Sequence, residues 1–200
     1  MTTTGKTAKA QLRAQVLQKR RALTPAERST KSAQLWERIY ADRTYREAQR
    51  IFIFLSMADE VQTDAFITKA LQEGKEIAVP LITGKGLMQP VRLRTLADVE
   101  VGVFGIRTLR EDCRECLPPA QLDVILVPGA AFTSHGERLG MGGGYYDRFM
   151  AQGAPQAKRI AVAFQCQICP QVPTEVHDVP VQEIYTESAH YLCADYARKE

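Results

Sequence analysis

Short, unbroken apolar runs constrain this chain more than any other feature. Ile51 to Leu55 reads IFIFL, Val124 to Val127 reads VILV, and Arg159 to Phe164 reads RIAVAF. Aliphatic and β-branched residues without polar alternation suit strands covered on both faces, as in a parallel sheet. Helical patterns lie between and before them. Leu12, Val16 and Leu23 form one apolar stripe and predict a helix from Ala8 to Leu23. Thr24-Pro25-Ala26-Glu27 is a capping box with proline at the first helical position, opening a helix to about Tyr40. Trp36 reads there as a core aromatic. Thr63 is placed to cap a helix from Asp64 to about Glu73, stopped by Gly74. Lys75 to Leu81 predicts the second strand of a βαβ unit and Met88 to Leu93 a shorter third. Thr95 to Glu111 is expected to wrap the sheet edge, and Gln182 to Thr186 to form the last strand. Residues 1–6 are small and polar and expected to fray. Strands alternating with helices predict an α/β fold: a single three-layer α/β/α domain over 1–200, with a largely parallel central sheet and N-terminal helices.

Composition narrows the function classes. A length of 200 residues suits one domain. With 26 basic and 23 acidic residues, the net charge of +3 is too small to argue for nucleic acid. MTTTGKTAKA has no apolar core of a signal peptide, and no apolar run is long enough to span a membrane. A cytoplasmic protein is expected. Its 5 cysteines argue against a disulfide framework. Cys113/Cys116 and Cys166/Cys169 are C-x-x-C pairs that could build a structural zinc site. About fifty residues separate the pairs, beyond the usual spacer, so reduced thiols are the simpler reading.

The chemistry concentrates behind the Val124–Val127 run. Pro128 and Gly129 stop the strand, and RLGMGGGYYDR follows, with glycines at 140, 142, 143 and 144. A helix is predicted to start at Tyr145 and run to Met150. Strand, glycine-rich loop and helix start can cradle phosphate on backbone N–H groups. Arg138, expected in the loop, offers a fork of donors for phosphate oxygens, and Asp147 is an oxygen ligand suited to magnesium. The loop matches neither GxxxxGK[ST] nor GxGxxG, so a flexible connection remains open at this level. Lys9 and Arg13 lie one helical turn apart and share a face, which equally suits a solvated basic surface. Of 3 histidines, none sits in an obvious nucleophile constellation. Positioning and charge neutralisation of a nucleotide fit better than covalent catalysis.

Four stretches carry a family resemblance. LVPGAAF followed by G-x-RLG-x-GGGYYDR, KAQLR (Lys9 to Arg13), FLSMADEVQT (Phe54 to Thr63) and VAFQCQICPQVPTEVHDVPV (Val162 to Val181) together resemble the 5-formyltetrahydrofolate cyclo-ligase family, also called 5,10-methenyltetrahydrofolate synthetase. The resemblance implies ATP-dependent closure of 5-formyltetrahydrofolate to 5,10-methenyltetrahydrofolate, with ADP and phosphate as the other products. It implies that ATP is bound by Lys9, Arg13, Arg138, Leu139, Gly140, Met141, Gly142, Gly143, Gly144, Tyr145 and Tyr146, with Arg13 and Arg138 catalytic. The folate would meet Leu55, Glu60, Gly143, Gly144 and Tyr145. Asp147 and Asp178 would hold Mg2+. A monomer with no nucleic-acid or membrane partner is expected. Many relatives carry a basic residue where Gly143 stands, and some one at Met141; their absence shifts weight onto Arg138 and Arg13. Other classes stay open on sequence: a non-catalytic nucleotide or folate module, a sugar-phosphate isomerase or acyl-CoA-type enzyme on a similar α/β scaffold, or a zinc-dependent interaction module.

Overall fold

The structure is a computed structural model and describes residues 3–102 and 105–193. Its helices are α1 (Thr3–Ala22), α2 (Pro25–Ala41), α3 (Arg43–Glu47), α4 (Asp64–Gln72) and α5 (Tyr145–Arg148). The main-sheet strands are β1 (Arg50–Ile53), β2 (Glu76–Gly84), β3 (Leu87–Leu93), β6 (Val124–Val127), β9 (Lys158–Val162), β10 (Glu183–Tyr185) and β11 (His190–Leu192). Two small ribbons pair β4 (Val99–Val101) with β5 (Arg107–Leu109), and β7 (Ala131–Phe132) with β8 (Arg138–Leu139).

The main sheet is 7-stranded, in the order β11-β10-β9-β6-β1-β2-β3. Pairing is parallel from β10 through β9, β6 and β1 to β2, and antiparallel at both edges, β2 with β3 and β10 with β11. The apolar runs account for this arrangement. Ile51, Ile53, Val124, Leu126, Ile160 and Val162 project to one face and pack with Leu35, Trp36, Ile39, Phe66 and Ile67 of α2 and α4. Phe52, Ile125, Val127 and Ala161 project to the other, against Phe132, Phe149 and Met150. β1, β6 and β9 therefore each feed two cores and leave no polar face to alternate.

The Thr24 capping box is present: Glu27 N donates to Thr24 Oγ1 at 3.2 Å, and Thr24 N donates to Glu27 Oε2 at 2.7 Å. Trp36 is core; its Nε1 donates to Gln62 O at 2.7 Å and its ring packs on Phe66. Gly74, at φ +78°, ends the α4 segment as expected. Other expectations need correction. Helix α1 begins at Thr3 rather than Ala8; residues 1–2 lie outside the described residues. Thr63 does not cap α4 with its side chain. Its Oγ1 instead accepts from Ser56 N at 3.1 Å, while Thr63 N donates to Ser56 Oγ at 3.2 Å. This reciprocal pair closes the loop that carries Asp59 and Glu60. The last main-sheet strand is β11, a short half-exposed edge strand with little apolar signal. The expected helix at Tyr145–Met150 is a single α-turn, continued as a π-turn over Phe149–Gly153.

From β1 the chain crosses to β2 on one side and later returns to β6 on the other. That reversal makes a switch point between β1 and β6, where open α/β sheets bind ligands beyond the strand carboxyl ends.

Candidate functional site

A cavity of about 570 Å³ opens at this switch point. Helix α1 contributes Lys9 and Arg13, and the loop after β1 contributes Glu60. Pro80, Ile82 and Met88 of the β2–β3 hairpin form an apolar wall, with Pro128 beyond β6. The continuous stretch Arg138 to Asp147 forms another side, and Glu175, His177 and Asp178 close the rim. The structure thus brings together every expected site residue except Leu55. Leu55 is 7% exposed, packs in the core shared with α2 and α4, and does not line the cavity.

Cations and carboxylates alternate around the cavity. Lys9 Nζ donates to Asp178 Oδ2 at 2.6 Å and stands 3.5 Å from Glu175 Oε2. Arg13 Nε donates to Gly140 O at 2.9 Å, tying α1 to the glycine loop. Arg138 is no loop residue: it lies on β8, is 5% exposed, and donates from Nη2 to Asp147 Oδ1 at 2.7 Å and from Nη1 to Pro128 O at 3.2 Å. Val179 N also donates to Asp147 Oδ1, at 3.2 Å, which joins the glycine-loop side to the Asp178 side. Arg148, not singled out by sequence, pins the loop to the β2–β3 turn by donating to Gly143 O at 2.6 Å and Gly86 O at 2.8 Å.

The loop conformation requires glycine at two places. Gly142 and Gly144 have φ of +104° and +66°, values that strain any residue with a Cβ. At Gly143 a Cβ would stand 2.6 Å from the Tyr145 ring, so a larger residue there requires that ring to move. Because α5 is one turn long, its dipole is small. The groups on this side of the cavity that could meet an anion are therefore the loop N–H groups and the cations Lys9, Arg13 and Arg138 rather than a helix terminus.

In the loop after β1, Glu60 Oε2 accepts from Met57 N at 3.0 Å, and Arg20 Nη1 stands 3.6 Å from Glu60 Oε1. Burial pushes the Glu60 carboxyl above the usual carboxylate range, against the opposing Met57 N–H and Arg20. The Tyr146 hydroxyl is buried without a hydrogen-bond partner, and burial, with Glu60 nearby, pushes its pKa well up.

A divalent cation fits the rim. Among the described residues, Glu175, His177 and Asp178 are the one group of histidine, cysteine and acidic side chains close enough to share an ion. Glu175 Oε2 is buried and accepts no hydrogen bond, although His177 Nε2 is 3.2 Å away. The Lys9 ammonium already stands as a positive charge beside Asp178 and Glu175. The carboxylate oxygens of Asp178 and Glu175 suit magnesium, whereas Asp147, expected as a ligand, lies outside this group with its Oδ1 engaged by Arg138 and Val179 N. Glu175 escaped the sequence reading, though it lies three residues before Asp178. The cysteines do not form such a group: Cys113 contacts Arg110, Cys116 borders Gln89, and Cys169 packs near α1, so the C-x-x-C pairs build no common site.

A parallel-cored α/β sheet with a glycine loop, three converging cations and carboxylates at its switch point defines an α/β protein with a cavity suited to a phosphorylated ligand. The model of the 5-formyltetrahydrofolate cyclo-ligase family matches residues 5–187. A mouse (Mus musculus) 5-formyltetrahydrofolate cyclo-ligase is 35% identical over 195 residues, covering 91% of this chain and 95% of the relative. The Escherichia coli K12 5-formyltetrahydrofolate cyclo-ligase is 29% identical over 176 residues, covering 86% and 97%. The NMR structure of Aquifex aeolicus 5,10-methenyltetrahydrofolate synthetase superimposes with a TM-score of 0.82 at 30% identity, covering 96% of each chain. The chain belongs to the 5-formyltetrahydrofolate cyclo-ligase family.

Proposed function

We propose that this protein uses ATP to cyclise 5-formyltetrahydrofolate to 5,10-methenyltetrahydrofolate, releasing ADP and phosphate. One observation carries the reading: Lys9, Arg13 and Arg138 open into the same cavity as the buried acid Glu60. Cations for the nucleotide phosphates and a carboxylate acceptor for the folate thus share one space.

The formyl oxygen is a poor leaving group. Its attack on the γ-phosphorus, with departure of ADP, converts it to an imidate phosphate. N10 of the folate then adds to the activated carbon, and phosphate leaves with that oxygen. Catalysis of such a transfer rests on in-line alignment and on charge placed at the phosphoryl oxygens. Lys9, Arg13 and Arg138 supply the charge, and the N–H groups of Gly140 to Tyr146 cradle the phosphates. Glu60 accepts from pterin N–H groups, since an ionised carboxylate only accepts. Asp178 and Glu175, joined by Asp147 once Arg138 turns to phosphate, are the carboxylates that would hold magnesium, which when bound would neutralise charge on the ATP phosphates.

Among the described residues no helix is long and apolar enough to cross a membrane. The unpaired thiols suit a reducing compartment such as the cytoplasm. The test is formation of the methenyl chromophore from 5-formyltetrahydrofolate, followed by absorbance, with and without ATP. Stoichiometric ADP and an absolute need for ATP are expected. Tight folate binding without turnover would instead mark a binding module.

A further inference from the structure

Arg20 lies outside every stretch that carries the family resemblance and does not itself line the cavity, yet it is 3% exposed and contacts the cavity residue Glu60 from behind. It sits on α1, eleven residues after Lys9 and seven after Arg13, spacings that return to the same helix face. Eleven residues of helix measure about 16 Å, so α1 reaches from Lys9 to the loop after β1 that carries Asp59 and Glu60.

There Arg20 grips the loop after β1. Its Nη2 and Nε donate to Asp59 Oδ2 at 2.9 and 3.3 Å, and its Nη1 stands 3.6 Å from Glu60 Oε1. The other Glu60 oxygen is held by Met57 N at 3.0 Å. Each carboxylate oxygen of Glu60 therefore has its own anchor, one from the loop and one from α1. Asp59 is also approached by the exposed Arg21, at 3.5 Å, so two guanidinium groups face two carboxylates.

We infer that Arg20 is a positioning residue, fixing the Glu60 carboxylate as the acceptor for the folate in the cavity. This rests on the assignment of Glu60 to the folate. A buried acid without a facing cation takes up a proton, and a protonated carboxyl can no longer accept from two pterin N–H groups. The groups facing Glu60 are Arg20 from α1, Asp59 and the Met57 N–H from its own loop, and the Tyr146 hydroxyl from α5. Of these only Arg20 is a cation. Its removal therefore moves loss of the acceptor to higher pH.

The experiment measures binding of 5-formyltetrahydrofolate, and separately of ATP, to Arg20→Met, Arg20→Lys and Glu60→Gln by calorimetry across pH. Arg20→Met is expected to weaken folate binding about tenfold at neutral pH, the scale of a lost charge-assisted contact. Its acidic limb should shift to higher pH while ATP binding stays unchanged. Arg20→Lys keeps the charge without the fork and should fall between. Wild-type folate affinity and pH profile in folded Arg20→Met, with Glu60→Gln impaired, would make Arg20 purely structural and overturn the inference. Wild-type folate binding in Glu60→Gln would overturn the folate assignment of Glu60, and the inference with it. Should Arg20→Met not fold, Arg20→Lys decides: an unshifted acidic limb and unchanged affinity overturn the inference.

Discussion

Lys9 Nζ and Asp178 Oδ2 meet at 2.6 Å across most of the chain's length, joining α1 to the segment before β10. Arg138 and Asp147 repeat the relationship at 2.7 Å. Two of the three proposed phosphate cations thus each neutralise a proposed magnesium carboxylate, while Arg13 is bonded to Gly140 O. Nucleotide binding then becomes an exchange of partners: cations turn to phosphate, and carboxylates are freed for the metal. Lys9→Met should weaken ATP binding by about one to two orders of magnitude, as expected for losing a bond between charged groups. The same variant, without nucleotide, should bind Mn2+ more tightly than wild type, because Asp178 and Glu175 lose their internal counter-ion. Mn2+ titration followed by EPR measures this; equal or weaker binding would refute the exchange.

The pH dependence has a definite sign at Glu60. Burial raises its folded-state pKa, so the folded protein holds this proton more readily than the unfolded chain. Its contribution favours stability at low pH and is lost as pH rises through the raised value. Folate binding runs the other way, since it requires the ionised acceptor. The kcat/KM for 5-formyltetrahydrofolate should therefore fall on acidification while ATP binding holds. Glu60→Gln should lower that kcat/KM at all pH values and remove the acidic limb; a limb unchanged in Glu60→Gln would assign it to another group.

Cys113→Ser/Cys116→Ser should fold and turn over as wild type. Cys116 is exposed and Cys113 half-buried, and neither touches the cavity. Surface changes of this kind usually stay within about 0.5 kcal/mol. Thermal melting and metal analysis of the purified variant check the expectation.

Gly144→Ala probes the loop. At φ +66° an alanine costs roughly 1–2 kcal/mol, and its Cβ would approach the Arg148 guanidinium to 3.2 Å. A modest loss of melting temperature with a larger rise in KM for ATP is expected. An unchanged KM would detach the loop backbone from nucleotide binding.

How much of this was legible depended on whether the signal was local. The burial of β1, β6 and β9 on both faces follows from uninterrupted apolar runs, and the start of α2 from four consecutive residues. The glycine loop stands out by composition, whereas Lys9 and Arg13, by spacing alone, fit an ordinary solvated helix face and are singled out only by the family resemblance. Arg20 was missed because on sequence it is one more basic residue in a basic helix; only the fold shows that it turns inward to Asp59 and Glu60. Thr63 looked like a cap, but its hydroxyl was taken by Ser56 across the loop. Leu55 belongs to the right segment, yet a strand end alternates direction, and its side chain turned to the core. The largest difference concerns Arg138, where a loop position was expected and a buried strand was found.

That burial changes what Arg138→Ala should do. A loop arginine serving phosphate alone would lose rate and keep stability. On β8 its side chain is 3% exposed and bonded to Asp147 and Pro128 O, so truncation strands Asp147 as a buried charge. Breaking one side of a buried ion pair costs about 3–5 kcal/mol. A chain of this length loses about 2–4 °C per kcal/mol, so Arg138→Ala should melt lower by about ten degrees. It should also lose turnover by at least one to two orders of magnitude per folded molecule, roughly 1.5–3 kcal/mol of contact to phosphate. Arg138→Lys can meet Asp147 but not Pro128 O as well, so it should recover most of the stability and little of the rate, for want of the bidentate fork. Arg138→Ala/Asp147→Ala separates the two roles: removing both charges should restore part of the melting temperature and none of the turnover. If turnover per folded molecule in Arg138→Ala equals wild type while its melting temperature falls, Arg138 serves Asp147 alone, and phosphate charge must come from Lys9 and Arg13.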